Sequence, residues 1–154
     1  MPRLDRSRNH PDQPHDIDAL PGDLRGDFDK TVVDENTKQL KLLASSIRAK
    51  TGKPVIDPSA LTEGSWKQEQ WGEFWCQVIS LFTEAVVLAS EWEFSKGACS
   101  ECLFALRRGF PVRLHDGSNI DFQRAIKDIR SAANEMRASG FNAEFFKTLL
   151  SKVE

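Results

Sequence analysis

The stretch EAVVLASEWEFSKGACSECLFALRRGFPVRLHD, residues 84–116, predicts a β-α-β unit. Its apolar run, residues 85–89, is rich in β-branched side chains and is typical of a strand buried on both faces in a parallel sheet. After a polar loop, Ser95 opens a helix that ends at Gly109, a residue suited to the position just past a helix. Residues 111–114 form the next strand, with proline at the first position, where it is tolerated. Since ligands of open α/β sheets bind at the carboxyl ends of the strands, we expect a site where this helix begins.

Outside this unit, helical segments alternate with short apolar strands, the pattern of an α/β domain with a parallel sheet. Residues 1–30 hold four of the seven prolines and predict a flexible arm, followed by one domain over residues 31–154. Thr31-Val32-Val33 predicts a very short strand, and residues 54–57 predict another that ends with Asp57 at the ligand edge. The strands at 54–57, 85–89 and 111–114 are expected to be adjacent and parallel, in a small sheet within a three-layer domain.

Helices are predicted from Asn36 to Gly52 and over residues 121–139, with a last short helix capped by Asn142. Another strongly amphipathic helix lies before the central unit. Its inward side chains are predicted to be Trp71, Phe74, Trp75, Val78 and Phe82. Most tryptophans are expected in the core, with Trp92 as the exception, since it can stack on a base or line a pocket.

Length and composition favour a cytoplasmic globular protein of one domain. The chain has 154 residues and a net charge of −2, which gives no electrostatic case for nucleic acid or an anionic membrane surface as partner. No apolar run approaches a bilayer-spanning length, and the N-terminus lacks the apolar segment of a secretory signal. Three cysteines, an odd number, fit a reducing compartment.

Two groups of residues at the predicted ligand edge could carry chemistry. Glu101, in the crossover helix, can attack an electrophilic carbon such as a sugar C1′, or it is an ordinary exposed helix glutamate. Ser95, Lys96 and Gly97 can hold a phosphate at the helix N-terminus, or they form only a helix cap. Cys99 and Cys102 have the C-x-x-C spacing but no second half of a zinc site, so we interpret them as packing residues. No metal and no cofactor are expected.

Residues 91–101, EWEFSKGACSE, resemble a motif of the nucleoside 2-deoxyribosyltransferase-like superfamily. In one small group of that superfamily the motif is G-W-x-x-S-x-G-A-x-x-E, after an apolar strand. The family's continuation, E-x-x-x-A-x-x-x-G-x-P-V, is matched through Val112, and the resemblance covers about residues 36–116. It implies a Rossmann-like fold, usually dimeric or higher, with Glu101 as the nucleophile at the sugar C1′. In the branch that hydrolyses nucleoside 5′-monophosphates, a serine at the position of Ser95 grips the phosphate.

The sequence departs from the family pattern in two places. Residues 1–30 contain no equivalent of the family's first apolar strand, and Cys76 and Gln77 stand where the family has a catalytic aspartate. Glu73, one turn earlier, is the carboxylate that could replace it as the acid. The hypotheses are therefore an N-glycosidase or deoxyribosyltransferase-like enzyme acting on a nucleoside or its 5′-monophosphate, and a non-catalytic nucleotide-binding or interaction module. A third is that another gene product supplies the missing strand and loop.

We also expect a homodimer, because the aromatic-rich helices offer more apolar surface than so small a sheet can cover. The predicted interface is the segment from Trp66 to Phe82 or the C-terminal helices, and the arm is a further segment that can cross to the partner.

Overall fold

The computed structural model describes residues 22–61 and 64–153, with 22–33 as backbone only. Within these residues the fold is mixed α/β and mostly helical, with a small parallel sheet. The elements in chain order are α1 (Gly22–Thr51), α2 (Gln68–Phe82), β1 (Val86–Leu88), α3 (Lys96–Arg107), β2 (Val112–Leu114), α4 (Phe122–Ala138) and α5 (Glu144–Ser151). Short 3₁₀ turns lie at Pro58–Ala60 and Trp92–Phe94.

The predicted β-α-β unit is confirmed. Strands β1 and β2 pair in parallel, with Val86 opposite Val112, and α3 connects them. Ser95 is the N-cap of α3, where its Oγ accepts a hydrogen bond from the N–H of Ala98 at 3.3 Å. The chain leaves the helix through Gly109 at φ +79°, a left-handed conformation that glycine adopts without steric strain.

Helix α3 lies at the centre of the core and contacts both strands, α2, α4 and α5. Cys99, Cys102 and Ala105 have no exposed surface, and Phe146 from α5 is equally buried. Burial, with smaller contributions from neighbouring charges, raises the pKa of the Cys99 thiol and raises that of Cys102 to about 12. Both cysteines are therefore neutral packing residues, as the sequence predicts.

The strand predicted over residues 54–57 is wrong. This segment is irregular and pairs with neither β1 nor β2, so the sheet in the described residues has two strands. Side chains engage the segment instead: Arg48 Nη2 donates to the carbonyl oxygen of Val55 at 2.6 Å. Lys53 forms an ion pair with Glu84 at 2.6 Å. A strand needs a neighbouring strand to pair with, and neither of the strands in the described residues pairs with this segment.

The strand predicted at Thr31-Val32-Val33 is also wrong, because these residues lie inside α1. Three β-branched residues lower helix propensity only slightly, and here they lie within a thirty-residue helix. The predicted helix from Asn36 to Gly52 is the C-terminal part of α1, which begins at Gly22, within the predicted arm. Residues 1–21, the rest of that arm, lie outside the described residues.

Three aromatic placements differ from prediction. Trp92 is 5% exposed and belongs to the core, because its 3₁₀ turn packs against α3 and α4. Trp66 is 38% exposed and packs at the surface against Trp71, with ring centroids 4.7 Å apart. Phe82, at the end of α2, is 74% exposed, and Ile79 takes the inward position in the last part of that helix.

None of the helices in the described part of the chain is both long enough and apolar enough to cross a membrane.

Candidate functional site

The loop after β1 holds the start of α3 in place through its own backbone hydrogen bonds. The N–H of Phe94 donates to the carbonyl of Glu91 at 3.1 Å, and the N–H of Ser95 donates to the carbonyl of Trp92 at 2.9 Å. Glu91 takes the left-handed conformation at φ +59°, which is uncommon for a residue other than glycine. This tight turn brings Ser95 to the N-cap a few residues after the strand ends.

The first turn of α3 can attract an anion. The N–H groups of Lys96 and Gly97 have no acceptor within the helix, and the helix dipole places partial positive charge there. Ser95 is exposed, but its hydroxyl already accepts the hydrogen bond of the cap. The predicted cap is thus confirmed, whereas phosphate binding stays a prediction.

Glu101 is the half-buried carboxyl of this region. Its side chain folds back along α3, since a Cβ added to Gly97 would lie 3.9 Å from Glu101 Oε1. Side chains on a helix lean toward its N-terminus, so the carboxyl lies against the first turn rather than away from it. Burial raises the pKa of Glu101 to about 7. The carboxyl forms no ion pair with the residues that the structure describes.

Helix α2 places a thiol, not a carboxylate, near Glu101. Burial raises the pKa of the Cys76 thiol, the charge of Glu101 raises it further, and Arg108 opposes both effects. Glu73, the predicted acid, is exposed on α2, one turn before Cys76. The structure therefore brings Cys76 and Arg108 into the electrostatic neighbourhood of Glu101. The sequence analysis placed Cys76 where the family has a catalytic aspartate, but it missed Arg108, because the packing of α2 against α3 leaves no local signal.

The other predicted site residues have different surroundings. The ammonium of Lys96 lies 5.7 Å from the ring centroid of Phe145, so it interacts with α5. Asp57 accepts hydrogen bonds from the N–H of Ser59 at 2.9 Å and from its hydroxyl at 2.7 Å. No strand carries Asp57 to the sheet edge, which removes the reason for placing it at the ligand site. Trp92 is buried in the core, where its 3₁₀ turn packs against α3 and α4, so it does not line a pocket.

In the described residues, Glu101 belongs neither to a cluster of metal-ligand side chains nor to the lining of the two clefts at α4. Across residues 34–61 and 64–153, no group of three or more His, Cys, Asp or Glu side chains is placed to hold a metal ion. A cleft of about 250 Å³ lies between α4 and α5 and is lined in part by Arg130, Arg137 and Lys147. A second, of about 810 Å³, lies along the start of α4. Neither is lined by Glu101 or Ser95.

No protein-family model, no curated protein and no solved structure matches this chain.

Proposed function

We propose that this protein is an N-glycosidase or deoxyribosyltransferase-like enzyme that acts on a nucleoside or its 5′-monophosphate, with Glu101 as the nucleophile. One observation carries the proposal. The Glu101 carboxyl is half-buried, has no ion-pair partner among the described residues, and lies against the first turn of a helix that starts just after β1. A desolvated carboxylate at the carboxyl end of a parallel strand suits a reaction that develops positive charge beside it.

In the proposed reaction, an oxygen of ionised Glu101 attacks the sugar C1′ as the bond from C1′ to the base nitrogen breaks. The base leaves with the electron pair and takes up a proton from water or from a side-chain acid, and a glycosyl ester of Glu101 forms. Water, or a second base, then attacks C1′ and loses a proton to the solvent or to the group that protonated the first base, while the bond from C1′ to the Glu101 oxygen breaks and releases the carboxylate. The oxocarbenium-like transition states on both sides of the ester are cationic, so ionised Glu101 stabilises them by charge as well as by bonding.

In this proposal the start of α3 supplies substrate binding. The N–H groups of Lys96 and Gly97, with the positive end of the helix dipole, suit a 5′-phosphate, and Ser95 lies beside them. Lys96 adds charge by leaving the ring of Phe145, since a single cation–π contact at an exposed site is worth only about 0.5–1 kcal/mol.

A non-catalytic nucleotide-binding or interaction module is the second candidate, and it too has an observation in its favour. The enzyme needs an acid to protonate the leaving base, yet the residue of α2 that is electrostatically coupled to Glu101 is Cys76. Burial keeps that thiol protonated at neutral pH, and a thiol is a poorer match than a carboxylic acid for this step. Glu73, the predicted acid, is exposed on α2 and one turn before Cys76, so the binding module is favoured if Glu73 does not act as the acid.

Three further features belong to the proposal. The architecture is Rossmann-like and three-layered, supported by the parallel pairing of β1 with β2 and by their connection through α3. The protein is a homodimer, supported by the exposed apolar side chains at the end of α2. It works in a reducing cytoplasm, supported by the free thiols of its three cysteines.

The test is to incubate the protein with ribo- and deoxyribonucleosides and their 5′-monophosphates and to follow the free base by chromatography. We expect release of base by the wild type and essentially none by Glu101→Ala, because the covalent step is lost. Since only ionised Glu101 attacks, kcat/KM should rise with pH through about 7. Ser95→Ala should raise KM for monophosphates and spare plain nucleosides.

Glu135→Gln, which removes an exposed carboxyl of α4, is the control and should keep full activity. Base release that survives in Glu101→Ala would contradict the role of Glu101. If the wild type releases no base but monophosphates raise its melting temperature, the binding module is the correct function, because a ligand of the native state stabilises it by mass action.

A further inference from the structure

The edge of β1 that faces away from β2 has backbone groups with no partner among residues 22–61 and 64–153. The N–H of Val86 donates to the carbonyl of Pro111 at 2.9 Å, and Val86 and Leu88 lie opposite Val112 and Leu114. Hydrogen-bonding direction alternates along a strand, so the N–H and C=O of Val87 point away from β2. No backbone group among the described residues bonds them, and the side chain of Val87 is only half-buried.

The other edge of the sheet is covered by the chain itself. Beyond β2 the chain turns back, so that the N–H of Leu114 donates to the carbonyl of Ser118 at 2.8 Å. The N–H of Ile120 donates to the carbonyl of Val112 at 3.1 Å, and Arg113 forms an antiparallel bridge with Asn119. Within the part of the chain that the structure describes, the fold thus closes the outer edge of β2 and leaves that of β1 open.

The open edge lacks the features that usually keep such edges from pairing. Proteins protect exposed edges with charged side chains, prolines or bulges. Residues 85–89 are AVVLA, with no charge and no proline, and the nearby Glu84 is held in its ion pair with Lys53. Leu81 and Phe82, a few residues before the strand, are 70% and 74% exposed. An unprotected apolar edge beside exposed apolar side chains has the character of an interface.

We propose that β1 pairs antiparallel with β1 of a second copy, across a two-fold axis at Val87, to form a continuous four-stranded sheet. A two-fold interface must be self-complementary. The segment AVVLA meets this condition in side-chain size, because the residues at equal distances before and after its central valine are similar in size. Ala85 would lie opposite Ala89 of the second copy, Val86 opposite Leu88, and Val87 opposite Val87. The two outward-facing valines would exchange N–H and C=O groups as a hydrogen-bonded antiparallel pair. This inference is independent of the chemistry of Glu101.

The test is the oligomeric state of the full chain by light scattering and sedimentation, at concentrations from micromolar upward. We expect a species of twice the 17.4 kDa of one chain. Val87→Pro removes the outward N–H while keeping every hydrogen bond between β1 and β2, because only Val86 and Leu88 make those bonds. It should raise the dimer dissociation constant by about tenfold or more, since two symmetric hydrogen bonds are lost.

Val87→Thr, a β-branched residue that keeps its N–H, is the matched control and should remain dimeric. Circular dichroism checks that both variants fold. If Val87→Pro does not fold, amide exchange of the wild type decides, because the Val87 N–H should be protected at high concentration and lose that protection on dilution.

A monomeric wild type overturns the proposal. So does a folded Val87→Pro variant that dimerises as well as the wild type, since the interface would then lie elsewhere. Protection of the Val87 amide in a monomer also overturns it, because the chain's own residues would then cover the edge.

Discussion

Replacing Glu101 by glutamine should stabilise the protein at neutral and alkaline pH. The pKa of this carboxyl rises from an ordinary 4.5 to about 7, and the cause is burial. A pKa difference of this size corresponds to about 3 kcal/mol between the two protonation states, as an order of magnitude. Glutamine keeps nearly the same shape but never ionises, so the variant avoids the desolvation of a buried charge.

The raised pKa of Glu101 determines how the stability difference between Glu101→Gln and the wild type changes with pH. Below about pH 4.5 the carboxyl is protonated in both the folded and the unfolded chain, and the two proteins should have similar stability. As pH rises toward 7, the unfolded chain ionises while the folded chain keeps its proton, so the wild type loses stability. Above about pH 7 the full difference is present, and the free energy of unfolding of Glu101→Gln should exceed that of the wild type by about 3 kcal/mol.

Urea unfolding of both proteins near pH 4.5 and pH 8, at one salt concentration, measures this difference. Glu84 and Asp116, whose pKa values are lowered by hydrogen bonds, are present in both proteins, so their contributions cancel. Glu135→Gln controls for the removal of a negative charge and should show little change with pH. If the difference between Glu101→Gln and wild type is the same at both pH values, Glu101 is not desolvated in the folded protein.

Two further predictions concern stability. Phe146→Ala should lower the free energy of unfolding, measured by urea titration, by about 3–5 kcal/mol, because the ring has no exposed surface and its loss leaves a cavity. Leu42→Ala, at a side chain that is 64% exposed, is the control and should change this free energy by under about 0.5 kcal/mol; similar losses in both variants would contradict the assigned core. Ser95→Ala should lower the free energy of unfolding by about 1 kcal/mol, because the N-cap hydrogen bond from the N–H of Ala98 is lost. Ser95→Asn, which can also cap a helix, should retain most of the stability, and equal losses in the two variants would mean that the cap contributes nothing.

The central unit could be predicted because its signals are local. Ser95 marks a helix start and Gly109 a helix end through their own backbone preferences, independent of distant contacts. An apolar run before the helix and another after it then leave few alternatives to parallel pairing. The position of Glu101 in the crossover helix followed directly.

The errors arose where tertiary contacts decide. Residues 54–57 have the composition of a strand, but a strand exists only where a neighbour accepts its hydrogen bonds, and Arg48 holds Val55 instead. The indole of Trp92 follows no helical periodicity, so only the packing of its turn on α3 and α4 could show that it is buried. Phe82 follows the helical spacing of the inward side chains of α2. However, α2 ends at this residue, and its side chain lies outside the core, 74% exposed.

The burial of Glu101 was the property that the sequence could not supply, and it bears most on function. As an exposed helix glutamate, the residue would be of no interest. In the structure its carboxyl is half-buried and has no ion-pair partner among the described residues, and because burial raises its pKa to about 7 we expect its ionisation to lower the stability of the fold. Packing alone gives no reason for a carboxyl there, since glutamine would fill the same space without ionising. A cationic group beside it would offset the desolvation, and in the proposed reaction that group is the sugar at the transition state. The same substitution therefore separates the two roles. A gain in stability together with a loss of base release assigns Glu101 to catalysis. A gain in stability in a protein that releases no base, but whose melting temperature rises with monophosphates only in the wild type, assigns Glu101 to binding.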